Sequence, residues 1–314
     1  MSFTRIFFIS SIFLLIYVVT FSFLKKNKTD RAEKINKIEE IEVSLFEKMP
    51  VVSIKEKENI ESKDVEVDII EKLFTLDSTK LPIVETITYT MRVPWLSDRP
   101  AWLTDYAAHY ETTRHFIARS LNKKADYFTQ NVSQGDRFNV LKKNVSFDLV
   151  ISFSNLKLYF YALDKDTQER YLLKTYKVGV GRKDLKKESG SLTPKGKFLI
   201  GDKVAIYKTG ITGYFQGNQI EMIKVFGTRW IPFERSYLDD MSKGLGIHGA
   251  PWVFDENKQK LIEDRSKIGQ FDSDGCIRLY SEDIEEIFAI VITKPTTVHI
   301  VNDQTEIDFE KIEE

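Results

Sequence analysis

From about residue 146 onwards the sequence consists of short apolar runs separated by turn residues, a spacing typical of mainly β proteins. Proline and glycine stand where a β-turn requires them in Thr193-Pro194-Lys195-Gly196. The apolar runs predict strands at 147–151, 157–163, 171–180, 197–200, 221–226, 246–248 and 297–301. We therefore expect residues 146–302 to form one mainly β domain.

One segment of this region has a helical period instead of a strand period. The spacing i, i+3, i+4, i+7 predicts a single buried helix face, formed by Ile284, Ile287, Phe288 and Val291. Ser281 is the expected N-cap, and two acidic residues follow it, where they complement the helix dipole. After the closing strand, residues 303–314 are acidic, and we expect them to form a mobile tail.

The N-terminus is apolar enough to cross a bilayer. Residues 6–24 are almost entirely apolar, and a helix of this length spans roughly 28 Å. Lysines at 25, 26 and 28 oppose export by the positive-inside rule, but a basic residue before a short apolar run is typical of an export signal. We expect residues 1–24 to be a transmembrane anchor or an uncleaved signal, which places the rest of the chain on the extracytoplasmic side of the membrane, in the cell envelope.

Two further regions separate this segment from the β domain. Residues 25–82 are charged and poor in aromatic residues, which predicts a flexible linker with a transient helix near 68–76. Residues 83–145 predict a small α+β region, with strands at 83–91 and 137–141 and a helix at 101–121. The turn Ser133-Gln134-Gly135-Asp136 resembles the end of a lysin-motif peptidoglycan-binding module.

Composition excludes several classes of function. The 46 basic and 47 acidic residues give a net charge of −1, so we expect no nucleic acid as partner. The chain has a single cysteine, Cys276, which cannot form a disulfide within its own chain. No His/Cys set has the spacing of metal ligands, and the glycines at 179 and 181 lack the third glycine of a dinucleotide fingerprint. We therefore expect no metal and no cofactor.

The surroundings of Cys276 indicate a chemical role for its thiol. A glycine precedes it, and an arginine with a planar fork of donors follows two residues later, in Ser273-Asp274-Gly275-Cys276-Ile277-Arg278-Leu279. An upstream histidine that could take the thiol proton is framed by glycines in Gly246-Ile247-His248-Gly249.

These two motifs, together with Thr193-Pro194-Lys195-Gly196-Lys197-Phe198, resemble the YkuD-type L,D-transpeptidase catalytic domain in the right order over residues 147–301. The resemblance implies a mainly β fold of two packed sheets with one helix on the C-terminal side. It also implies a reaction in which the cysteine thiolate attacks the third residue of a peptidoglycan tetrapeptide stem, D-alanine leaves, and an amine of another stem forms a 3→3 cross-link. Carbapenems typically acylate the cysteine of this family.

The motif residues then have expected roles. Cys276 is the nucleophile, His248 is the base, and the backbone around Gly275 stabilises the oxyanion, a contribution of roughly 3 kcal/mol per donor in other hydrolases. Three further residues are expected to contact the substrate, namely Ser273, Gly249 and Arg278, the last of which would hold a stem carboxylate.

The sequence departs from the family pattern at two places. Asp274 stands where the family has a histidine; its carboxylate would either raise the pKa of the thiol or orient a protonated His248. Polar residues 255–266 lengthen the interval between His248 and Cys276, which predicts an inserted loop over the site. These residues leave four functions open. They are transpeptidation, hydrolysis with water as acceptor, attachment of a protein to peptidoglycan, and binding of peptidoglycan by a decayed site without catalysis.

Overall fold

The longest apolar runs pair with one another in a five-stranded sheet. The computed structural model describes residues 66–122, 131–234 and 244–309, all of which belong to one unit that spans residues 64–314. The strand order of this sheet is β5-β4-β3-β17-β7. Its strands are β3 (Val145–Ser152), β4 (Lys157–Asp164), β5 (Glu169–Lys177), β7 (Gly196–Leu199) and β17 (Thr296–Val301).

A second sheet of four strands carries the two motifs around His248 and Cys276. Its order is β16-β12-β11-β8. The strands are β8 (Ala205–Ile206), β11 (Arg229–Pro232), β12 (Gly246–Gly249) and β16 (Ile277–Leu279). Strands β12 and β16 are parallel, whereas β11 runs antiparallel to both of its neighbours.

Three two-stranded sheets complete the β structure of this part. Two are hairpins and the third is a parallel pair that leads into Cys276. Their strands are β9 (Thr212–Phe215) with β10 (Asn218–Glu221), β13 (Trp252–Asp255) with β14 (Lys260–Glu263), and β6 (Val180–Gly181) with β15 (Phe271–Ser273).

The region before the main sheet has the order strand, helix, helix, strand. The two strands are antiparallel, and the predicted turn at 133–136 leads directly into the second one. The elements are β1 (Val84–Thr88), α1 (Leu103–His109), α2 (Arg114–Asn122) and β2 (Arg137–Leu141). The relation of this region to lysin motifs stays a prediction.

The single helix predicted at 101–121 is divided in two by a pair of threonines. The hydroxyl of Thr113 accepts a hydrogen bond from the N–H of Phe116 at 2.9 Å, which caps the start of α2. The same hydroxyl donates to the carbonyl of Ala289 in the following domain. A capping hydroxyl favours the start of a new helix, because it accepts a hydrogen bond from a backbone N–H that in one continuous helix would be bonded to a carbonyl of the preceding turn.

The core is shared between the region before residue 145 and the β domain. Ile70, Leu73 and Ile83 are fully buried, and they belong to the same apolar cluster as Phe147 and Ile287. A 3-10 helix, Ile70–Leu73, presents the first two of these side chains. The end of the predicted flexible linker, residues 66–82, is therefore packed against the β domain instead of being a free spacer. Its apolar residues are few, but they contact residues that are distant in the sequence.

The predicted C-terminal-side helix is present as α4 (Ser281–Val291), and all four residues of its predicted face are buried. The N-cap position belongs to Tyr280, and Ser281 is the first helical residue. Acidic residues occupy the first turn as expected.

The C-terminal segment is ordered where the structure describes it, in contrast to the predicted mobile tail. A short 3-10 helix, Gln304–Glu306, begins at Asp303, whose carboxylate accepts from the N–H of Thr305 at 3.0 Å. The ring of Phe309 packs against Tyr161 with 5.1 Å between ring centroids and covers the outer face of the main sheet. Residues 310–314 lie outside the described part.

Two other predicted elements differ from the structure. The segment expected to be a strand at 221–226 instead ends β10 and continues as a short helix, α3 (Ile223–Phe226). The segment 255–266, expected to be an inserted loop, belongs to the β13–β14 hairpin and to a 3-10 helix, Arg265–Lys267. The predicted anchor at 6–24 and most of the predicted linker fall outside the described residues. Within the part that is described, no helix has the length and apolar character to cross a membrane.

Candidate active site

The parallel pairing of β12 and β16 brings the histidine and cysteine motifs together. His248 lies opposite Arg278, and Ile247 lies opposite Ile277. Because side chains alternate along a strand, the isoleucines enter the core while His248, Arg278 and the adjacent Cys276 share the other face. Both isoleucines are fully buried.

The loop that carries the nucleophile is held by Ser273. The Oγ of Ser273 donates to the carbonyl of Cys276 at 2.6 Å and accepts from the N–H of Gly275 at 3.1 Å. Gly275 has φ +124°, a conformation that side-chain-bearing residues rarely adopt. Ser273 is buried, so in this structure its hydroxyl shapes the loop, and the expected substrate contact stays a prediction.

Thr193 is a site residue whose importance the sequence interpretation missed. Its hydroxyl donates to the carbonyl of Gly275 at 2.8 Å and accepts from the N–H of Gly181 at 2.7 Å. The side chain is completely buried, and a Cβ on Gly181 would lie only 2.5 Å from the nitrogen of Thr193. The sequence shows the motif that contains Thr193, both as a turn and as part of the family resemblance, but it predicts no contact of the Thr193 hydroxyl. The structure shows that it also fixes the backbone before Cys276.

The thiol of Cys276 is neutral in this environment. Burial raises its pKa to about 11, although the backbone N–H of Gly246 and the charge of Arg278 act in the opposite direction. Asp274 adds a smaller contribution that raises the pKa further, as expected for a nearby carboxylate. The sulfur atom lies 3.7 Å from the carbonyl oxygen of Gly244. At neutral pH the sulfur of Cys276 therefore carries its proton.

The imidazole of His248 is neutral as well, and backbone groups orient it. Burial lowers the pKa of His248 to about 3, and the positive charge of Arg278 contributes in the same direction, whereas backbone hydrogen bonds with Gly249 and Phe226 act in the opposite direction. Nδ1 lies 2.7 Å from the carbonyl oxygen of Gly249, a contact that suits a proton on Nδ1. The rings of Phe226 and Trp230 lie 5.4 and 6.0 Å from the imidazole, centroid to centroid. Among the described hydrogen bonds, none joins His248 to Cys276.

Arg278 acts on both groups from a largely buried position. Its Nη1 donates to Asp272 at 3.0 Å, and its side chain is only 16% exposed. The buried Nε atom has no hydrogen-bond partner in the part of the chain that is described. The guanidinium is thus fixed beside the site, and its expected contact with a stem carboxylate stays a prediction.

The expected roles of Asp274 and Gly275 stay predictions. Asp274 pairs with Arg182 at 2.5 Å and has no described hydrogen bond to His248. The N–H of Gly275 is already bonded to Ser273, whereas the N–H of Cys276 has no partner among the described residues, so an oxyanion contact would suit the N–H of Cys276 better. Gly249 contributes the carbonyl that orients His248.

No group of three or more His, Cys, Asp or Glu side chains is placed to hold a metal ion in the residues that the structure covers. What the arrangement can do chemically is transfer a proton from a thiol to a neutral imidazole and stabilise an oxyanion at a backbone amide.

Comparison with known proteins places this site in a family. Residues 147–300 match the family model YkuD, the L,D-transpeptidase catalytic domain, in agreement with the predicted span. No curated protein matches the sequence.

Solved structures with some similarity to the chain share little sequence with it. Bd1075 of Bdellovibrio bacteriovorus is 12% identical, with a TM-score of 0.34 over 51% of each chain. The helical cell shape determining protein Pgp2 from Campylobacter jejuni is 18% identical, with a TM-score of 0.32 over 52% of this chain and 49% of that one. L,D-transpeptidase 3 from Mycobacterium tuberculosis, in complex with a faropenem-derived adduct, is 15% identical, with a TM-score of 0.31 over 68% and 90%. The chain thus spans about half the length of the first two of these proteins.

Proposed function

Residues 147–300 belong to the YkuD family of L,D-transpeptidase catalytic domains, and from this premise we propose that the protein is a peptidoglycan L,D-transpeptidase with Cys276 as its nucleophile. The observation that supports the proposal is the register of the pair β12–β16, which puts His248 opposite the largely buried Arg278 and close to Cys276, the residue that precedes β16. The substrate is a tetrapeptide stem, and the product is a 3→3 cross-link.

The first half of the reaction forms a thioester. Nε2 of His248 takes the thiol proton while the sulfur of Cys276 attacks the carbonyl carbon of the third stem residue. The N–H of Cys276 donates to the oxyanion that develops, an interaction worth roughly 3 kcal/mol where it has been measured in hydrolases. The tetrahedral intermediate then collapses, the C–N bond breaks, and D-alanine leaves with the proton that His248 returns.

The second half transfers the acyl group. An amine of a neighbouring stem attacks the thioester carbonyl, the C–S bond breaks, and the thiolate of Cys276 is reprotonated. Water in place of the amine gives a tripeptide, the L,D-carboxypeptidase outcome.

The neutral state of both groups supports a general-base mechanism over a resting ion pair. The pKa of Cys276 is raised to about 11 and that of His248 is lowered to about 3, so at neutral pH neither carries charge before substrate binds. Proton transfer concerted with attack avoids a buried pair of charges, which is costly unless it is well solvated.

The location of the substrate completes the proposal. Peptidoglycan is extracytoplasmic, and we place the catalytic domain on that side of the cytoplasmic membrane, in the cell envelope, with residues 6–24 as anchor. Carbapenem-type compounds are expected to acylate Cys276.

Incubation of residues 64–314 with disaccharide-tetrapeptide, followed by mass spectrometry of the products, tests the function. Cross-linked dimer with released D-alanine, absent in Cys276→Ala, supports the transpeptidase. Tripeptide without dimer shifts the assignment to a carboxypeptidase. The absence of any product that depends on Cys276 contradicts both and favours a domain that only binds peptidoglycan.

A further inference from the structure

An exposed ion pair lies directly beside the nucleophile. Arg182 follows β6 and Asp274 follows β15, and these two strands are parallel neighbours. The N–H of Arg182 donates to the carbonyl of Ser273 at 2.8 Å, which fixes the start of the nucleophile loop against the end of β6. Only Gly275 separates Asp274 from Cys276. Whatever binds to this pair is therefore close to the reacting sulfur.

The pair contributes little to the stability of the fold, and several of its polar atoms are available to a ligand. The side chains of Arg182 and Asp274 are 60% and 68% exposed, and ion pairs this exposed contribute little to folding stability. A single hydrogen bond joins them, from Nη2 to Oδ1 at 2.5 Å. In the described part of the structure, the Nε and Nη1 atoms of Arg182 and the Oδ2 atom of Asp274 have no other hydrogen-bond partner.

These free atoms present a cation and an anion side by side. An arginine fork binds a carboxylate through parallel N–H donors, and a carboxylate oxygen accepts from an ammonium group. A ligand that carries an ammonium and a carboxylate on the same carbon complements both at once. A simple amine would satisfy Asp274 alone, and a simple carboxylate would satisfy Arg182 alone.

We propose that the Arg182–Asp274 pair is the acceptor subsite, which selects an amine that bears its own α-carboxylate. This inference rests on the proposed function, because it needs a thioester on Cys276 for the amine to attack. The D-alanine expelled in the first half-reaction has the same pair of groups once it is free. The acceptor therefore takes the position that the leaving amino acid vacates.

The transfer step begins with the ammonium group that is bound to Asp274. This group gives one proton to water, and the amine nitrogen then attacks the thioester carbonyl. The C–N bond forms, the C–S bond breaks, and the sulfur of Cys276 leaves as a thiolate. The second proton of the nitrogen passes to the thiolate by way of His248, which leaves an amide and a neutral thiol.

Competition between two matched acceptors tests the subsite. Residues 64–314 are incubated with the tetrapeptide donor and either D-methionine or D-methioninamide, which differ only in the carboxylate. Mass spectrometry measures the ratio of acyl transfer to hydrolysis for each acceptor. We expect Asp274→Asn and Arg182→Gln each to lower the ratio for D-methionine, relative to the amide, by at least about fivefold, which corresponds to about 1 kcal/mol.

The control is an ion pair of similar exposure elsewhere on the domain. Arg265 and Glu282 lie 2.6 Å apart and are 51% and 58% exposed, and Glu282→Gln should leave the preference unchanged. The acyl-enzyme is measured separately for every variant by intact mass, so a folding defect is visible as a lost adduct. If acyl-enzyme forms and both variants keep the wild-type preference, the subsite assignment is wrong and the proposed function stands. If the wild-type chain forms no acyl-enzyme, the proposed function and the subsite fall together.

Discussion

At the scale of single residues, burial and three neighbours shift the thiol pKa of Cys276 in opposing directions. Burial is the largest influence and raises the pKa, the backbone N–H of Gly246 and the charge of Arg278 lower it, and Asp274 raises it. Arg278 has a second effect, since its charge also lowers the pKa of His248. These influences together leave the proton on the sulfur of Cys276 at neutral pH.

The pH dependence of alkylation reports this balance. Iodoacetamide reacts with the thiolate, so its rate at Cys276 should rise about tenfold per pH unit from 7 to 9 without a plateau, because the pKa is about 11. Asp274→Asn should increase the rate and Arg278→Gln should decrease it, as each removes one charge. A plateau below pH 9 would contradict the neutral thiol.

Thr193 offers a test of the loop geometry. Thr193→Val removes the hydroxyl that joins Gly181 to Gly275 and leaves two buried backbone groups without their partner. We expect a loss of about 1–3 kcal/mol in the free energy of unfolding, measured in urea, and slower acylation of Cys276. Thr193→Ser keeps the hydroxyl and should recover most of both quantities. Equal behaviour of the two variants would show that the hydrogen bonds are unimportant.

The roles of the site residues could be predicted from the sequence only in part. Cys276 and His248 stood out because their residue types and glycine neighbours suit nucleophilic catalysis. The partner of Asp274 could not be predicted, because Arg182 is 92 positions away and lies beside it only through the pairing of β6 and β15. The engagement of the Gly275 amide by Ser273 depends on a local turn that residue types do not specify.

At the scale of elements, α4 connects the five-stranded sheet to the region before residue 145. Glu286 accepts hydrogen bonds from Lys174 at 2.9 Å and from Tyr176 at 2.8 Å. The guanidinium of Arg119, on α2, lies 3.9 Å from the same carboxylate. One buried carboxylate thus joins three elements.

Two glutamates of α4 make a matched pair for mutation. Glu286→Gln removes a buried charge with several partners, and we expect a loss of about 1–3 kcal/mol in the free energy of unfolding. Glu282→Gln alters an exposed pair and should cost less than about 1 kcal/mol. Urea unfolding of both variants measures the difference, and equal losses would contradict the structural role of Glu286.

Strand prediction succeeded where alternation or long apolar runs dominated. The strands β3, β4 and β17 follow their predicted ranges closely, and the main sheet is built from them. Prediction was wrong for 221–226, where the apolar side chains of Ile223 and Phe226 serve a short helix. A run of six residues with this spacing suits either element, and packing against the rest of the molecule decides between them.

At the scale of the whole molecule, part of the region before residue 145 shares the core of the β domain, while Tyr106 and Phe138 belong to a second apolar cluster within that region. Phe116 of α2 and Ile83 are fully buried in the cluster that includes Phe147 and Phe160. The sequence suggested a linker and an accessory region at this place because charges dilute the apolar residues there. Their long-range partners are not visible in a local pattern.

A shared core predicts cooperative unfolding. Residues 64–314 should lose near-UV and far-UV circular dichroism in one coincident urea transition. The fragment 146–314 should fail to fold, because it exposes the surface that Ile70, Leu73 and Ile83 cover. Two separate transitions, or a folded short fragment, would show that the regions are independent.

The account as a whole depends on a covalent intermediate at one sulfur atom. Intact-protein mass spectrometry of residues 64–314, mixed with disaccharide-tetrapeptide and quenched in acid, measures it directly. We predict an added mass equal to the donor minus D-alanine, located on the peptide that contains Cys276 and absent in Cys276→Ala. Release of D-alanine with no adduct on Cys276, or an adduct that persists in Cys276→Ala, would contradict the mechanism.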